Sequence, residues 1–359
     1  MINQFLDILK LIQLELICLF AVFFIISFFW KKIFISLSLK AYHSKQRLHQ
    51  EEIPRIGGLI IYVFLIMTAF FSLDSDLLNV ILMTAIPIIF IGVKEDLFHN
   101  TSPKLRLIFM IVSASLFVTL LPTNLPEIDF PIINQVLSFS ILKEIFFIFA
   151  ILVIINGNNL IDGVNGNMAL TNIVQLVVLA LLASTVNDSR MVEVYLILML
   201  PLIIFLIFNF PMGKIFSGDV GAYFYGFAIS ASVIYLFGEY DQFFSWNAVL
   251  ILIYPSSELL FSFIRKKIFE SKSPFFADRH HLHTLIYKLI KTKTTISNNS
   301  YVLFFLFPLI LTPIFAVAYF DDLKVISFII AFIMTMYIFC YIVLHKIIYL
   351  RKSVGKKTN

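Results

Sequence analysis

Long apolar runs separated by short polar segments account for almost the whole chain. About 20 apolar residues are enough for a helix to cross the hydrocarbon core of a bilayer. Runs close to this length lie at 5–29, 57–73, 77–93, 105–122, 143–158, 168–186, 192–210, 220–236, 247–267, 301–319 and 325–348. The pattern therefore predicts an all-α integral membrane protein, a polytopic bundle of eleven transmembrane helices, or ten if one of the shorter runs does not span.

The composition agrees with this fold class. Hydrophobic residues make up 60% of the chain and charged residues 14%, and 41 residues are Phe, which excludes an ordinary soluble protein of this length. The first run lacks a basic leader and is longer than the apolar core of a signal peptide, so it is predicted to be a permanent span. No repeat or low-complexity linker divides the chain, and residues 1–359 are expected to form one membrane domain.

The basic residues predict an orientation. Most of the 27 Lys and Arg lie in segments that this topology places on one side, within 31–55, 94–106, 265–293 and 346–357. By the positive-inside rule that side is cytoplasmic, which puts the N-terminus outside and the C-terminus inside. The net charge of +5 is then an orientation signal that also attracts anionic lipid headgroups, and it does not indicate a nucleic-acid partner.

Polar, non-basic residues concentrate in four segments of the predicted cytoplasmic face. They are Glu95-Asp96, residues 156–167 (Asn-Gly-Asn-Asn-Leu-Ile-Asp-Gly-Val-Asn-Gly-Asn), residues 216–221 (Phe-Ser-Gly-Asp-Val-Gly) and residues 279–283 (Arg-His-His-Leu-His). Connecting loops with no shared task would show no such asymmetry between the two faces. Their return to one face predicts a single shared site.

The amide-rich segment has a helical spacing. Asn156, Asn159 and Asp162 recur every three residues and would share roughly one helix face, and Asn165 continues the series. Such a face could line a polar cleft. The alternative is hydrogen bonding between helices of the bundle. The glycines within the segment favour the cleft, because they permit close backbone approach.

Carboxylates provide candidate metal and acid–base groups. Asp219 lies between glycines at a predicted helix start, where it could ligate a hard cation such as Mg²⁺ or simply cap the helix. Glu95 and Asp96 would point about 100° apart on a helix, so one could act as a base while the other faces a metal. The alternative for this pair is a solvated helix end.

The remaining candidates are basic. Lys104 and Arg106 could neutralise phosphates or mark the inner leaflet. His281 and His283 would lie on one side of an extended segment and could bind zinc, a phosphate or a sugar diphosphate, or belong to an ordinary surface loop. Zinc is disfavoured because the segment has no thiolate and the chain has no His-Glu-x-x-His pattern.

These motifs together resemble the polyprenyl-phosphate sugar-1-phosphate transferases. The resemblance covers about residues 53–290 and rests on five motifs in order: residues 53–58 (Ile-Pro-Arg-Ile-Gly-Gly), 92–106, 156–163, 216–221 and 278–283. It implies a bacterial inner-membrane enzyme with its site on the cytoplasmic face, which moves N-acetylhexosamine 1-phosphate from a UDP-sugar to undecaprenyl phosphate. It also implies release of UMP, a requirement for Mg²⁺, with Mn²⁺ as a substitute, and a role in starting a surface polysaccharide.

The resemblance implies roles for particular residues. Asp219 matches the metal ligand, and the catalytic group comprises Glu95, Asp96, Asp162, His281 and His283. The substrate-binding group comprises Lys104, Arg106, Asn156, Asn159, Asn165 and Arg279. Glu95, Asn165, Ala222 and Thr284 depart from the family's usual pattern, which leaves the general base open. The Pro-Arg-x-Gly-Gly and Asp-Arg-x-His-x-His motifs resemble the N-acetylhexosamine transferases more than the peptidoglycan-precursor enzyme.

Two alternatives from other classes stay open at this point. A secondary transporter would place broken helices around a polar site at the bilayer midplane, with an inverted repeat. A membrane metallohydrolase would use the histidines and carboxylates around zinc. The sequence also leaves open which UDP-sugar is used and whether the chain forms a homodimer.

Overall fold

The computed structural model describes residues 2–34, 53–73, 75–269, 280–290, 299–319 and 321–355, and within these ranges every regular element is helical. The first eight helices are α1 Ile2–Leu11, α2 Gln13–Phe34, α3 Gly57–Phe71, α4 Asp76–Phe98, α5 Pro103–Leu120, α6 Pro131–Val136, α7 Ser140–Ile161 and α8 Asn167–Thr185. The others are α9 Ser189–Asn209, α10 Gly218–Glu239, α11 Ser245–Ile251, α12 Ile253–Ile264, α13 Leu282–Ile290, α14 Val302–Ile310, α15 Ile314–Ala318 and α16 Leu323–Gly355. A π-helical turn, Arg265–Phe269, follows α12.

The polytopic all-α prediction is confirmed in its coarser form. Within the described ranges seven helices are long and apolar enough to cross a membrane, and an eighth is added if α11 and α12, bent by 78°, count as one span. Shorter apolar helices, Gln13–Phe29, Gly57–Phe71 and Val302–Ala318, occupy three of the other predicted runs. The count of eleven spans and the orientation of the termini stay predictions.

Helices α4 and α7 extend beyond their predicted ends, and both extensions carry candidate site residues. The third run was expected to end at residue 93, but α4 continues to Phe98 and carries Glu95 and Asp96 in its last turn. Lys and Glu are good helix formers, so a change to polar residues does not end a helix by itself. His99, in the left-handed conformation with φ of 49°, is the residue that does. In the same way α7 continues to Ile161 and makes the first part of the amide-rich segment helical.

The ninth predicted run is broken at Leu252. Pro255 lies in the first turn of α12, where a missing backbone N–H costs least, and this favours a new helix start at that point. The Gln175 side chain from α8 donates a hydrogen bond of 2.9 Å to the carbonyl of Ile251, the last residue of α11. The Ile251 carbonyl, which the break leaves without a partner in its own helix, is thus hydrogen-bonded within the bundle.

Helix α10 is the centre of the bundle. It packs against α3, α4, α7 and α8 and is buried along nearly its whole length, as expected for a helix that is apolar on all sides. Gly58 of α3 meets Gly221 of α10 so closely that a Cβ on Gly58 would lie 2.1 Å from the Gly221 nitrogen. This contact brings the segment before α3 to the start of α10.

An amide network ties the helices around α10 together. Asn158 donates to the carbonyl of Ala222 at 2.8 Å and accepts from Asn172 at 3.1 Å. Asn167 donates to the carbonyl of Ile161 at 2.8 Å and contacts the Tyr254 hydroxyl at 2.9 Å. Part of the amide-rich segment therefore performs the helix-to-helix hydrogen bonding that was the alternative interpretation.

Candidate active site

Three carboxylates and two guanidinium groups meet at one end of the bundle. Asp96 comes from the last turn of α4, Asp162 directly follows α7, and Asp219 lies in the first turn of α10. Arg55 precedes α3, and Arg106 lies in the first turn of α5. These five residues are called the acid–arginine cluster below.

Asp96 holds the start of α10. Its two carboxylate oxygens accept hydrogen bonds from the backbone N–H groups of Asp219, at 2.9 Å, and Val220, at 3.1 Å. The carboxylate thus satisfies two of the free N–H groups of the first turn and complements the positive end of the helix dipole. Gly218 makes this approach possible: its φ is +71°, and a Cβ there would lie 2.3 Å from Oδ2 of Asp96.

Asp219 lies between both arginines of the cluster, and only 7% of it is exposed. Oδ1 accepts from Nη2 of Arg55 at 3.3 Å. Oδ2 accepts from the Tyr223 hydroxyl at 2.8 Å and lies 3.5 Å from Nη1 of Arg106. A carboxylate is costly to bury unless such opposite charges and donors surround it.

The backbone on either side of Arg55 is hydrogen-bonded to the segment that precedes α10. The N–H of Phe216 donates to the carbonyl of Pro54 at 2.9 Å, and the N–H groups of Gly57 and Gly58 donate to the carbonyls of Phe216 and Ser217 at 3.0 and 2.8 Å. These bonds align the two segments. Nε of Arg55 then lies 3.4 Å from Oδ1 of Asp96, while its Nη2 reaches Asp219.

Asp162 joins the cluster through Ser217, whose hydroxyl donates a hydrogen bond to Oδ2 of Asp162. Burial raises the pKa of Asp162 to about 7, and the carboxylate of Asp219 acts in the same direction. The Ser217 hydrogen bond and the charge of Arg55 lower this pKa but do not cancel the effect of burial. A cation bound beside Asp162 would favour its ionised form near neutral pH.

The two motif histidines lie beside this group. Their rings stack in parallel, 5.7 Å apart at 5°, and Nδ1 of His281 is 3.4 Å from Oε2 of Glu258 in α12. The expectation of an extended segment is wrong for His283, which lies in the first turn of α13. Burial lowers the pKa of His283 to about 4, so this imidazole is neutral at pH 7 and can take part in hydrogen bonds but not supply charge.

Known proteins resemble this chain in the region that contains most of the acid–arginine cluster. Residues 78–237, which include Asp96, Arg106, Asp162 and Asp219, match the model of the glycosyl transferase family 4. Over this segment, which is somewhat less than half of its length, the chain is similar to glycosyl transferase family 4. The resemblance noted from the sequence motifs is thereby confirmed.

Individual proteins similar to this chain carry related names. The chain is 28% identical over 263 residues to a probable undecaprenyl-phosphate N-acetylglucosaminyl 1-phosphate transferase of Bacillus subtilis, covering 70% of this chain and 71% of the relative. It is 27% identical to an undecaprenyl-phosphate alpha-N-acetylglucosaminyl 1-phosphate transferase of Thermotoga maritima, covering 72% and 76%. A phospho-N-acetylmuramoyl-pentapeptide-transferase of Streptococcus agalactiae is 23% identical, covering 67% and 76%. These relatives do not support the transporter or metallohydrolase alternatives.

The other predicted site residues lie in several different environments. Glu95 accepts a hydrogen bond of 2.9 Å from the N–H of Thr101, which closes the turn before α5 and so fixes the helix that carries Arg106. Lys104 is exposed in the first turn of α5, and Asn159 is half-buried near the end of α7. Arg279 lies outside the described residues.

Two predicted amides have partners away from the acids. Asn156 donates to the carbonyl of Leu152 at 2.8 Å in its own helix and contacts the sulfur of Met110 at 3.6 Å. Asn165 exchanges hydrogen bonds with Asn299, at 3.2 and 3.3 Å, and donates to the carbonyl of Pro211 at 3.1 Å. The structure therefore brings Asp96, Arg106, Asp162 and Asp219 together but turns Asn156 and Asn165 to other contacts.

The donor set fits Mg²⁺ only as an ion shared with substrate. Among the described residues no three His, Cys, Asp or Glu side chains converge closely enough to hold a metal by themselves. Mg²⁺ commonly needs no such cage, because it keeps several waters and binds through one or two carboxylates together with substrate phosphates. Asp219 and Asp162 provide hard oxygen ligands of this kind.

Proposed function

We propose that this chain transfers N-acetylglucosamine 1-phosphate from a UDP-sugar to undecaprenyl phosphate and releases UMP. The observation that carries the proposal is the buried Asp219 carboxylate held between Arg55 and Arg106 at the end of the membrane bundle. Two relatives, which are 28% and 27% identical over 70% and 72% of this chain, are named as undecaprenyl-phosphate N-acetylglucosaminyl 1-phosphate transferases. Their names support the same acceptor and the same sugar for this chain.

The reaction joins two anions and therefore needs positive charge more than a protein nucleophile. An oxygen of the acceptor phosphate attacks the β-phosphorus of the nucleotide sugar, and the bond from that phosphorus to the bridging oxygen breaks, so that UMP leaves with the bridging oxygen. Arg55 and Arg106 would bind the phosphate oxygens and stabilise the charge that develops during transfer. Asp219, with Asp96 behind it, would keep both guanidinium groups in position.

Mg²⁺, held by Asp219 with Asp162, would neutralise the charge of the diphosphate when bound. Because the acceptor has a lipid tail, its phosphate must stay at headgroup level, which is the depth of a cluster built from helix ends. The positive-inside rule supports the cytoplasmic face of the bacterial inner membrane, where nucleotide sugars are available.

The experiment that tests this function uses membranes containing the full chain. Mg²⁺, undecaprenyl phosphate and each of several UDP-linked N-acetylhexosamines would be added, and lipid-extractable sugar and UMP would be measured. We expect UDP-N-acetylglucosamine to give both products in equal amounts. Absence of lipid-linked sugar with every donor, at a confirmed level of protein in the membrane, would contradict the proposal.

Removal of divalent metal is expected to stop the reaction. After treatment with EDTA, product formation should fall to background, and added Mg²⁺ or Mn²⁺ should restore it, because two phosphate-bearing substrates cannot meet without charge neutralisation. The measurement is initial rate against free metal concentration. Full activity in EDTA would refute the metal requirement, and recovery with Zn²⁺ alone would favour the hydrolase alternative.

Replacement of Arg55 with lysine is expected to lower kcat by on the order of 10²-fold, the size of effect seen when one charge-stabilising group is lost. A lysine ammonium is a point charge and cannot contact Asp96 and Asp219 through separate nitrogens as the guanidinium does. Arg190→Lys, an exposed substitution in the first turn of α9, is the matched control. If Arg55→Lys were as active as Arg190→Lys, the assignment of Arg55 to the active site would be wrong.

A further inference from the structure

Glu258 is a buried acid inside the apolar helix α12. Only 1% of the residue is exposed, and it was not among the candidates from the sequence. A carboxylate within a membrane bundle is costly unless it has a partner, so such residues tend to be functional. Its Oε2 lies 3.4 Å from Nδ1 of His281, which is itself 6% exposed.

The contact continues from His281 to the acid–arginine cluster. The His283 ring stacks on that of His281, and its Nε2 lies so close to Gly163 that a Cβ there would be 2.3 Å away. Gly163 directly follows Asp162 in the sequence. The Asp162 carboxylate accepts a hydrogen bond from Ser217, which lies two residues before Asp219. Glu258 therefore lies at the far end of an unbroken series of contacts that leads into the site.

We propose that Glu258 is a positioning residue that fixes the ring orientation and tautomer of His281 for the transfer reaction. A carboxylate beside Nδ1 keeps a proton on that nitrogen, and Nε2 is then the atom offered to other groups. The His283 ring, stacked on that of His281, is held parallel to it. This inference rests on the proposed function, since it assigns the histidine pair a task in that reaction.

The fold supports this assignment. The 78° bend between α11 and α12 changes the direction of the chain just before Glu258, and α12 then packs against α7, the helix that ends just before Asp162. The neighbouring residue Ser257 is equally buried, but its hydroxyl donates to its own helix and contacts Met334 in α16. Ser257→Ala is therefore a matched control in the same helix, away from the histidines.

The test compares Glu258→Gln, His281→Ala, the double variant and Ser257→Ala in the full chain, with kcat/KM measured for UDP-N-acetylglucosamine and undecaprenyl phosphate. Loss of a carboxylate that orients a functional histidine typically costs about 10- to 100-fold, and we expect Glu258→Gln to fall in this range. Glu258 also interacts with the Tyr337 hydroxyl, but the positioning role runs through the His281 ring, so the double variant should be no worse than His281→Ala alone. Ser257→Ala should match the wild type.

The decisive measurement is the kcat/KM of the double variant. If Glu258→Gln acted through a general effect on folding, its loss of activity would multiply with the loss caused by His281→Ala. Losses that multiply, or full activity of Glu258→Gln, would overturn the positioning role. If Glu258→Gln fails to accumulate in the membrane, Glu258→Asp takes its place in the same comparison, and failure of both would assign Glu258 to folding instead. An inactive wild type would refute the proposed function, whereas an active wild type with an unimpaired Glu258→Gln refutes only this inference.

Discussion

Replacement of Asp219 with asparagine is expected to reduce kcat by on the order of 10³-fold, while the protein remains in the membrane at its normal level. Asparagine has nearly the same shape and can still accept from the Tyr223 hydroxyl. It has no charge, however, with which to hold Arg55 and Arg106 or to ligate Mg²⁺. The measurement is initial rate of lipid-linked product at equal protein content.

The control for this variant is Asp241→Asn. Asp241 is exposed and lies just beyond the opposite end of α10, so the same chemical change there should leave turnover as it is. If Asp219→Asn retained full activity, the assignment of Asp219 as the metal ligand and anchor of the arginines would be wrong.

The second large effect is expected for Asp96→Asn, for a different reason. An asparagine amide can accept from one of the two N–H groups of α10 but would direct its own NH₂ at the other, which leaves a buried donor unpaired. The start of α10 should shift, and a displacement of about 1 Å at a reacting group can cost about 10²-fold in rate. The midpoint of thermal unfolding in detergent should fall together with kcat.

Asp76→Asn is the matched control for this change, because Asp76 is an exposed acid in the first turn of the same helix. The combined readout separates two roles for Asp96. A loss of activity with unchanged thermal stability would show that Asp96 acts on the substrate or metal rather than by holding the helix.

The sequence predicts the helices of the bundle well, because about 20 apolar residues in a row have few alternatives to a membrane helix. Every predicted run coincides with a helix or a pair of helices. The helix ends are less predictable: whether Glu95 and Asp96 lie inside α4 depends on the conformation of His99. The break at Leu252 could have been expected from Pro255, but its 78° angle depends on neighbouring helices.

Side-chain direction in the candidate site could be predicted only in part. The three-residue spacing placed Asn156 on one face with Asn159, but α5 packs there and its Met110 contacts Asn156. The sequence shows Arg55 only as part of the Pro-Arg-x-Gly-Gly motif and gives it no role at the site. Its partner Asp219 is 164 residues away, and only the pairing of the segments around them reveals the contact. Glu258 did leave a signal, since it is an isolated acid within an apolar run.

In the proposed reaction a sugar phosphate, rather than a sugar alone, moves to the lipid. The most direct test supplies purified protein with UDP-N-acetylglucosamine labelled with ³²P at the β-phosphorus, undecaprenyl phosphate and Mg²⁺, and follows the label. We expect the label to appear in the lipid extract, with one unlabelled UMP released for each labelled lipid. Label that stays in UDP would indicate transfer of the sugar alone, and label in water-soluble sugar phosphate would indicate hydrolysis. Either result would refute the proposed transfer of a sugar phosphate.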